Sequence, residues 1–108
     1  MDLENTKAQM RKGILEYCIL SVIARGSCYA SDIIRELKEA KVIVVEGTLY
    51  PLLTRLKNSG LLSYRWEESQ QGPPRKYYEL TVNGKEYLAD LDRSWDDLAI
   101  SVSMIRTR

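Results

Sequence analysis

The first third of the chain alternates apolar and polar positions with a helical period. From Met10 to Ala24, apolar side chains return on successive turns, which predicts a first amphipathic helix. A shorter helix follows, with Ile33, Ile34 and Leu37 on its apolar face and charged residues on the other. We expect Ser27 to cap the start of this second helix.

A third helix is predicted from about Glu46 to Ser59. Its apolar stripe consists of Leu49, Leu52, Leu53 and Leu56. Gly60 stands where a left-handed residue commonly ends a helix. The β-branched segment 41–45 before the helix predicts an extended connector. Pro51 removes a backbone N–H near the start, so we expect an irregular first turn.

Two strands are predicted after the third helix. Leu62, Tyr64 and Trp66 alternate with polar residues, which is typical of a half-buried strand. A second strand is expected from Arg75 to Leu80. The polar segment 68–74 contains Gly and two Pro residues, so the sequence predicts a β-hairpin with a long tip.

The last helix has the most regular apolar spacing in the chain. Thr81 is its expected N-cap, and the helix is predicted to continue to around Ile105. Apolar residues that alternate steps of three and four form one seam: Leu88, Leu91, Trp95, Leu98, Val102 and Ile105. Such a narrow seam flanked by charges favours packing against another helix, so these residues are the predicted dimer interface.

The order helix, helix, helix, hairpin, long helix predicts a mainly α fold with a small β-hairpin. This is a winged helix-turn-helix plus a long C-terminal dimerisation helix. We expect residues 1–80 to form the DNA-binding part with its N-terminal helix, and residues 81–108 to form the dimerisation helix, packed on the same single domain. A length of 108 residues is a common size for one domain.

Composition narrows the range of functions. The chain has no histidine and only two cysteines, so we expect no metal site, no cofactor and no enzymatic activity. It lacks both the roughly 20-residue apolar run of a membrane span and the layout of a signal peptide. A cytoplasmic protein without a membrane partner is therefore expected. The net charge of +1 neither indicates nor excludes nucleic acid.

The placement of charge favours double-stranded DNA as the partner. In a winged helix-turn-helix the third helix enters the major groove, and the hairpin tip reaches phosphates or the minor groove. Basic residues concentrate on these two elements, at Arg55, Lys57, Arg65, Arg75 and Lys76. A nearly neutral chain can therefore present a locally positive surface.

Two motifs resemble those of the PadR family of winged-helix regulators. The first is the segment 47–56 with Gly60, Leu61 and Leu62, and the second is the segment 72–81 with Gly84. The single C-terminal helix is similar to the short subfamily. The resemblance implies a homodimeric repressor that leaves its operator when a small apolar or aromatic effector binds. In some similar proteins a tryptophan of this helix lines the effector site, and the resemblance places Trp95 in that role.

The chain departs from the family pattern at the starts of two helices. Near the second helix, where family members often have a Tyr-Gly-Tyr-like motif, only Tyr29 matches that motif. At the third helix Val45 replaces a polar cap, so we expect the amides of Gly47 and Thr48 to meet a DNA phosphate. The predicted DNA-binding residues are Tyr29, Ser31, Gly47, Thr48, Tyr50, Pro51, Arg55, Lys57, Gln71, Gly72, Arg75 and Lys76.

Other interpretations stay open. The chain is alternatively a winged-helix protein-interaction module without DNA binding. The hairpin aromatics fit cross-strand packing better than base stacking. Trp95 is first a dimer-core residue, and its effector role is compatible with that. Cys28 is either a packing group or an oxidisable thiol, although no nearby pattern activates it.

Overall fold

A computed structural model describes residues 1–69 and 72–107. The helices are α1 (Leu3–Ala24), α2 (Ala30–Glu39), α3 (Glu46–Asn58) and α4 (Val82–Arg106), and the strands are β1 (Cys28–Tyr29), β2 (Leu62–Ser69) and β3 (Gly72–Leu80). The predicted mainly α fold with a small hairpin is confirmed. Within the described ranges, no helix has the length and hydropathy needed to cross a membrane.

Helix α1 begins two turns earlier than predicted. The Asp2 carboxylate accepts hydrogen bonds from the backbone N–H groups of Glu4 at 3.0 Å and Asn5 at 3.3 Å, which caps the helix. The added turns, residues 3–9, carry exposed residues only, including Leu3. Periodicity missed them because a helix segment without a buried face has no apolar stripe.

Helix α2 is capped by Tyr29, so the predicted Ser27 cap is wrong. Cys28 and Tyr29 form the short strand β1, whose pairing with β3 occupies the residues just before the helix. The Asp32 carboxylate then accepts a hydrogen bond from the Tyr29 N–H at 2.9 Å. A strand of two residues is too short to show a period, which is why the sequence did not reveal it.

Helix α3 buries Leu49, Leu53 and Leu56, while Leu52 is partly buried. The helix runs through Pro51 without a break. Irregularity is confined to its first turn, where the N–H groups of Thr48 and Leu49 both donate to the Val45 carbonyl at 3.0 Å. Gly60 adopts a φ of 80°, as predicted for the end of this helix.

The hairpin has longer strands and a shorter tip than predicted. Segments 68–69 and 72–74 belong to β2 and β3, so the expected long loop is wrong. The sheet order is β1-β3-β2, and β1 pairs only with Tyr77 and Tyr78 of β3. Pro73 and Pro74 therefore lie beyond β1, opposite an irregularity of β2 between Glu67 and Ser69. Proline is tolerated at such free edges and bulges.

The hydrophobic core lies between the helices and one face of the sheet. Its fully buried side chains are Ile19, Leu20, Ile33, Leu49 and Leu53. Leu62 and Tyr78 cover it from the sheet. The extended connector contributes Val44, whereas its neighbours Ile43 and Val45 are exposed. Helix α3 and the hairpin are thus anchored to the same core.

The start of α4 is joined closely to the turn after α3. The Thr81 hydroxyl donates to the Gly60 carbonyl at 2.6 Å and accepts from the Gly84 N–H at 2.9 Å, which confirms the predicted cap. The Thr81 N–H also donates to the Leu61 carbonyl at 3.1 Å. Gly84 is buried, and a Cβ atom there would overlap the Leu61 carbonyl oxygen.

Replacing Gly84 with alanine should destabilise the protein. Alanine is the better helix former by about 1 kcal/mol, but the overlap with backbone costs about 1–3 kcal/mol or more. We expect a net fall in the free energy of unfolding, measured by thermal and urea denaturation at one protein concentration. The control is Gly47→Ala, also in the first turn of a helix, where an added Cβ meets open space. Equal stability of both variants would contradict the predicted close approach.

Candidate nucleic-acid interface

The solvent face of α3 is built by residues opposite its leucine stripe. The centre of this face is formed by Gly47, Pro51, Thr54 and Asn58, all of them exposed. Their spacing of four, three and four residues places them on one side of the helix. Thr54 and Asn58 were not among the predicted DNA-binding residues, although this spacing from Gly47 and Pro51 was a signal that pointed to them.

Three of the predicted DNA-binding residues lie close together where the hairpin approaches α2. The Arg75 guanidinium lies 3.9 Å from the centroid of the Tyr29 ring and donates to the Ser31 hydroxyl at 3.4 Å. The Tyr29 ring in turn contacts Tyr77 edge to face, with centroids 4.9 Å apart. The structure thus brings Tyr29, Ser31 and Arg75 together, and the aromatic stack holds the arginine at the N-terminus of α2.

Two more of the predicted DNA-binding residues lie close together between α3 and the hairpin. The ammonium groups of Lys57 and Lys76 lie 5.9 Å and 4.5 Å from the centroid of the same Tyr64 ring. Lys76 is also 5.5 Å from the ring of Trp66, which is largely exposed. Tyr64 packs against its strand partner Tyr78 at 5.8 Å, which confirms the cross-strand packing expected of these aromatics.

Two other basic residues are occupied by acidic partners. Arg55 of α3 forms an ion pair with Glu16 of α1. Arg65 is paired with Glu67 at 2.7 Å and Glu79 at 3.9 Å. The predicted basic cluster is therefore divided, and its charges without an acidic partner in the described chain are Lys57, Arg75 and Lys76.

The start of α3 corrects one expectation. The Val45 side chain makes no capping hydrogen bond, as predicted. The Thr48 amide, however, already donates to the Val45 carbonyl, so it lacks the free donor that the prediction assigned to it. Gly72 is exposed at the hairpin tip, and Gln71 lies outside the described residues.

The apolar seam of α4 divides into two parts. Leu88 is buried and Leu91 partly buried against the core of the same chain. The other seam residues are exposed: Trp95, Leu98, Val102 and Ile105. With Met10 and Ile14 of α1, Trp95, Leu98 and Val102 line an open groove of about 500 Å³. The first part of the seam, Leu88 and Leu91, thus packs against its own chain, whereas the second part, from Trp95 to Ile105, stays exposed.

A polar contact joins α1 and α4 next to Trp95. The Tyr17 hydroxyl of α1 donates to an Asp92 carboxylate oxygen at 2.6 Å, and the Tyr17 ring lies 6.3 Å from that of Trp95. The hydrogen bond to Asp92, followed by desolvation, raises the pKa of Tyr17 to about 12. This bond ties α4 to α1 where the helix leaves the core.

The family model of the "Transcriptional regulator PadR-like family" matches residues 19–90, from the C-terminal part of α1 into α4. The chain belongs to this family. The resemblance seen in the two sequence motifs is therefore confirmed. Because the family consists of transcriptional regulators, the expectation that the chain is not an enzyme is also confirmed.

Solved structures agree with this assignment. The chain is 62% identical to a PadR-like transcription factor from Bacteroides fragilis, covering 94% of this chain and 98% of that one, with a TM-score of 0.79. A PadR family regulator from Eggerthella lenta is 29% identical, covers 98% and 94%, and gives a TM-score of 0.88. The PadR protein of Bacillus subtilis, solved in complex with operator DNA, is 28% identical over 72% of this chain and 46% of that one, with a TM-score of 0.68.

Both cysteines of this PadR-like regulator are poor nucleophiles. Burial, followed by the charges of Asp32 and Glu36, raises the pKa of the Cys28 thiol to about 11. Burial also raises the pKa of Cys18. Because the thiolate is the reactive form, neither residue has the low pKa of a sensor thiol. In the described part of the chain, no group of acidic or cysteine side chains could hold a metal ion.

Proposed function

We propose that this PadR-like regulator is a cytoplasmic repressor that binds a specific duplex operator as a homodimer and responds to a small apolar or aromatic effector. The observation that carries DNA binding is the position of the unpaired cations. Lys57 and Lys76 lie beside the exposed face of α3, on α3 itself and on the hairpin. Arg75 lies on the other face of the hairpin, at the N-terminus of α2. In this arrangement α3 reads base edges from Thr54 and Asn58, while the cations contact phosphates.

The proposal divides the chain by role. Residues 1–80 form the DNA-binding part, and residues 81–108 form the dimerisation helix, which shares the core of the first part through Leu88. The relative from Bacillus subtilis was solved with operator DNA, which supports a duplex as the partner. Arg55 contributes less to DNA binding in this proposal than the sequence predicted, because its guanidinium already forms an ion pair with Glu16.

Binding to a duplex from the chain's own promoter region should weaken steeply as salt rises. Each phosphate contact contributes about 0.9 to the slope of log K against log salt, because bound counterions are released. The double variant Arg75→Ala, Lys76→Ala should lower both the affinity and this slope, measured by fluorescence anisotropy. The control is Lys38→Ala, Lys85→Ala, which removes the same charge from the exposed sides of α2 and α4.

Three results would contradict this proposal. One is binding that does not depend on salt, and another is an equal loss in the control variant. The third is a lack of binding to any genomic fragment, which would favour the alternative of a protein-interaction module. Repression itself requires that deletion of the gene raises transcription from the bound promoter, and an unchanged or lowered transcript level would contradict it.

The second half of the α4 seam supports the homodimer. Trp95, Leu98, Val102 and Ile105 form a continuous apolar strip about three turns long that stays exposed in the described chain, although α1 contacts one side of it. The pattern of steps of three and four is typical of helices that pack against each other. Leu88 and Leu91 belong to the predicted interface as well, but their own chain already covers them to a large extent.

The variant Leu98→Asp, Val102→Asp should convert the dimer into a folded monomer. Both positions are exposed in the single chain, so the charges disturb the interface and not the core. The measurement is sedimentation velocity, with circular dichroism to confirm folding. Ile100→Asp is the control, because Ile100 is equally exposed but lies on the opposite side of α4. An intact dimer in the double variant, or a monomer in the control, would contradict the seam.

The effector is proposed to bind in the groove beside Trp95. Its walls are mostly apolar side chains of α1 and α4, which suit an apolar or aromatic molecule. We expect anilinonaphthalene sulfonate to bind with enhanced fluorescence and to lower operator affinity. Trp95→Ala should weaken this dye binding several-fold, with the dimer verified by sedimentation. Trp66→Ala, which removes the exposed tryptophan of the hairpin, should leave it unchanged, and the reverse pattern would contradict the site.

A further inference from the structure

Two lysines from different elements approach one aromatic ring. Lys57 belongs to the last turn of α3, Lys76 belongs to β3, and Tyr64 lies between them on β2. The ammonium groups are 5.9 Å and 4.5 Å from the Tyr64 ring centroid. With Thr54 and Asn58 these residues line a small crevice between the recognition helix and the hairpin.

Neither ammonium group has an acidic partner. In residues 1–69 and 72–107, no carboxylate oxygen lies within 4 Å of the Nζ atom of Lys57 or of Lys76. The nearby acids Glu67 and Glu79 are instead turned towards Arg65, on the opposite face of the hairpin. An aromatic ring attracts a cation only weakly and does not neutralise it. The two like charges therefore still favour the approach of an anion.

The crevice has the size and position for one phosphate group. Its volume is about 100 Å³, and two cationic side chains, Lys57 and Lys76, line it, so it suits a small anionic group such as a phosphate. Thr54 and Asn58 extend from the crevice onto the exposed face of α3. A strand of DNA whose bases meet that face therefore carries its backbone past the two lysines.

We propose that Lys57 and Lys76 together bind a single backbone phosphate of the operator, with the Tyr64 ring as the platform that holds both ammonium groups. This inference rests on the proposed function, and it adds that the recognition helix and the hairpin share one contact. The single negative charge of the shared phosphate lies between two ammonium groups that otherwise repel each other. It also fixes the distance between α3 and the hairpin in the complex.

The test is the salt dependence of operator binding by Lys57→Ala, Lys76→Ala and the double variant. A shared phosphate predicts that each single variant lowers the slope by less than 0.9, since the other lysine still contacts it, and that the double variant lowers it by about 0.9 in total. Two separate phosphates predict additive losses that total about 1.8 in the double variant, which would overturn the proposal. Unchanged slopes in all three variants would overturn it as well.

A second experiment removes the phosphate charge instead of the lysines. Single methylphosphonate substitutions along the operator should reveal one position that weakens the wild-type protein but has no further effect on the double variant. Two such positions, one for each lysine, would overturn the sharing. Tyr64→Phe should bind like the wild type, and Tyr64→Leu should lose part of the slope, because the ring and not its hydroxyl is the platform. Equal behaviour of these two variants would refute that role.

The two experiments separate this inference from the proposed function. If wild-type protein binds no duplex, the proposed function fails. If the wild type binds with steep salt dependence but the lysines act independently, only the shared contact fails. Thermal unfolding of each variant verifies that the fold is retained, which we expect because Lys57 is exposed and Lys76 only partly buried.

Discussion

Helix α1 is the element on which the arrangement of all the others depends, because its apolar residues must be covered from more than one direction. Ile19 and Leu20 are adjacent, about 100° apart around the helix, and both are fully buried. Helices α2 and α4 and strand β3 all contact α1. The neighbouring positions Glu16 and Tyr17 extend this role to polar contacts, since one reaches Arg55 of α3 and the other Asp92 of α4. Helix α1 therefore positions both α3, which carries the proposed DNA-binding face, and α4, the proposed dimerisation helix.

The charge of the proposed DNA-binding side depends more on which residues form ion pairs than on the overall composition. The net charge of +1 is compatible with almost any partner. What distinguishes the proposed DNA-binding side is that its acids are used internally by Arg55 and Arg65, while Lys57, Arg75 and Lys76 rest on aromatic rings. An aromatic ring orients a cation without neutralising it. These side chains therefore stay charged and partly ordered before any anion arrives.

The sequence predicted the elements that have a long apolar stripe, and it failed where other forces decide. The bounds of α3 and α4 followed from their leucine spacing and from the caps at Thr81 and Gly60. The first turns of α1 have no buried face, and β1 depends on a partner strand far away in the chain. Arg55 was assigned to DNA because a charge pattern cannot show that Glu16, on another helix, faces it. The α4 seam looked uniform for the same reason, since only the packed structure shows that Leu88 belongs to the core.

The close contact between Gly84 and the Leu61 carbonyl also has a mechanical meaning. Helix α4 has 25 residues, which at 1.5 Å per residue makes an arm of about 37 Å. A tilt of about 10° at its anchored end would displace the far end by roughly 6 Å, nearly two base-pair steps of a duplex. In the proposed dimer, the stiffness of this joint, together with the packing of Leu88 and the Tyr17–Asp92 hydrogen bond, limits the range of half-site spacings that one pair of chains can accept.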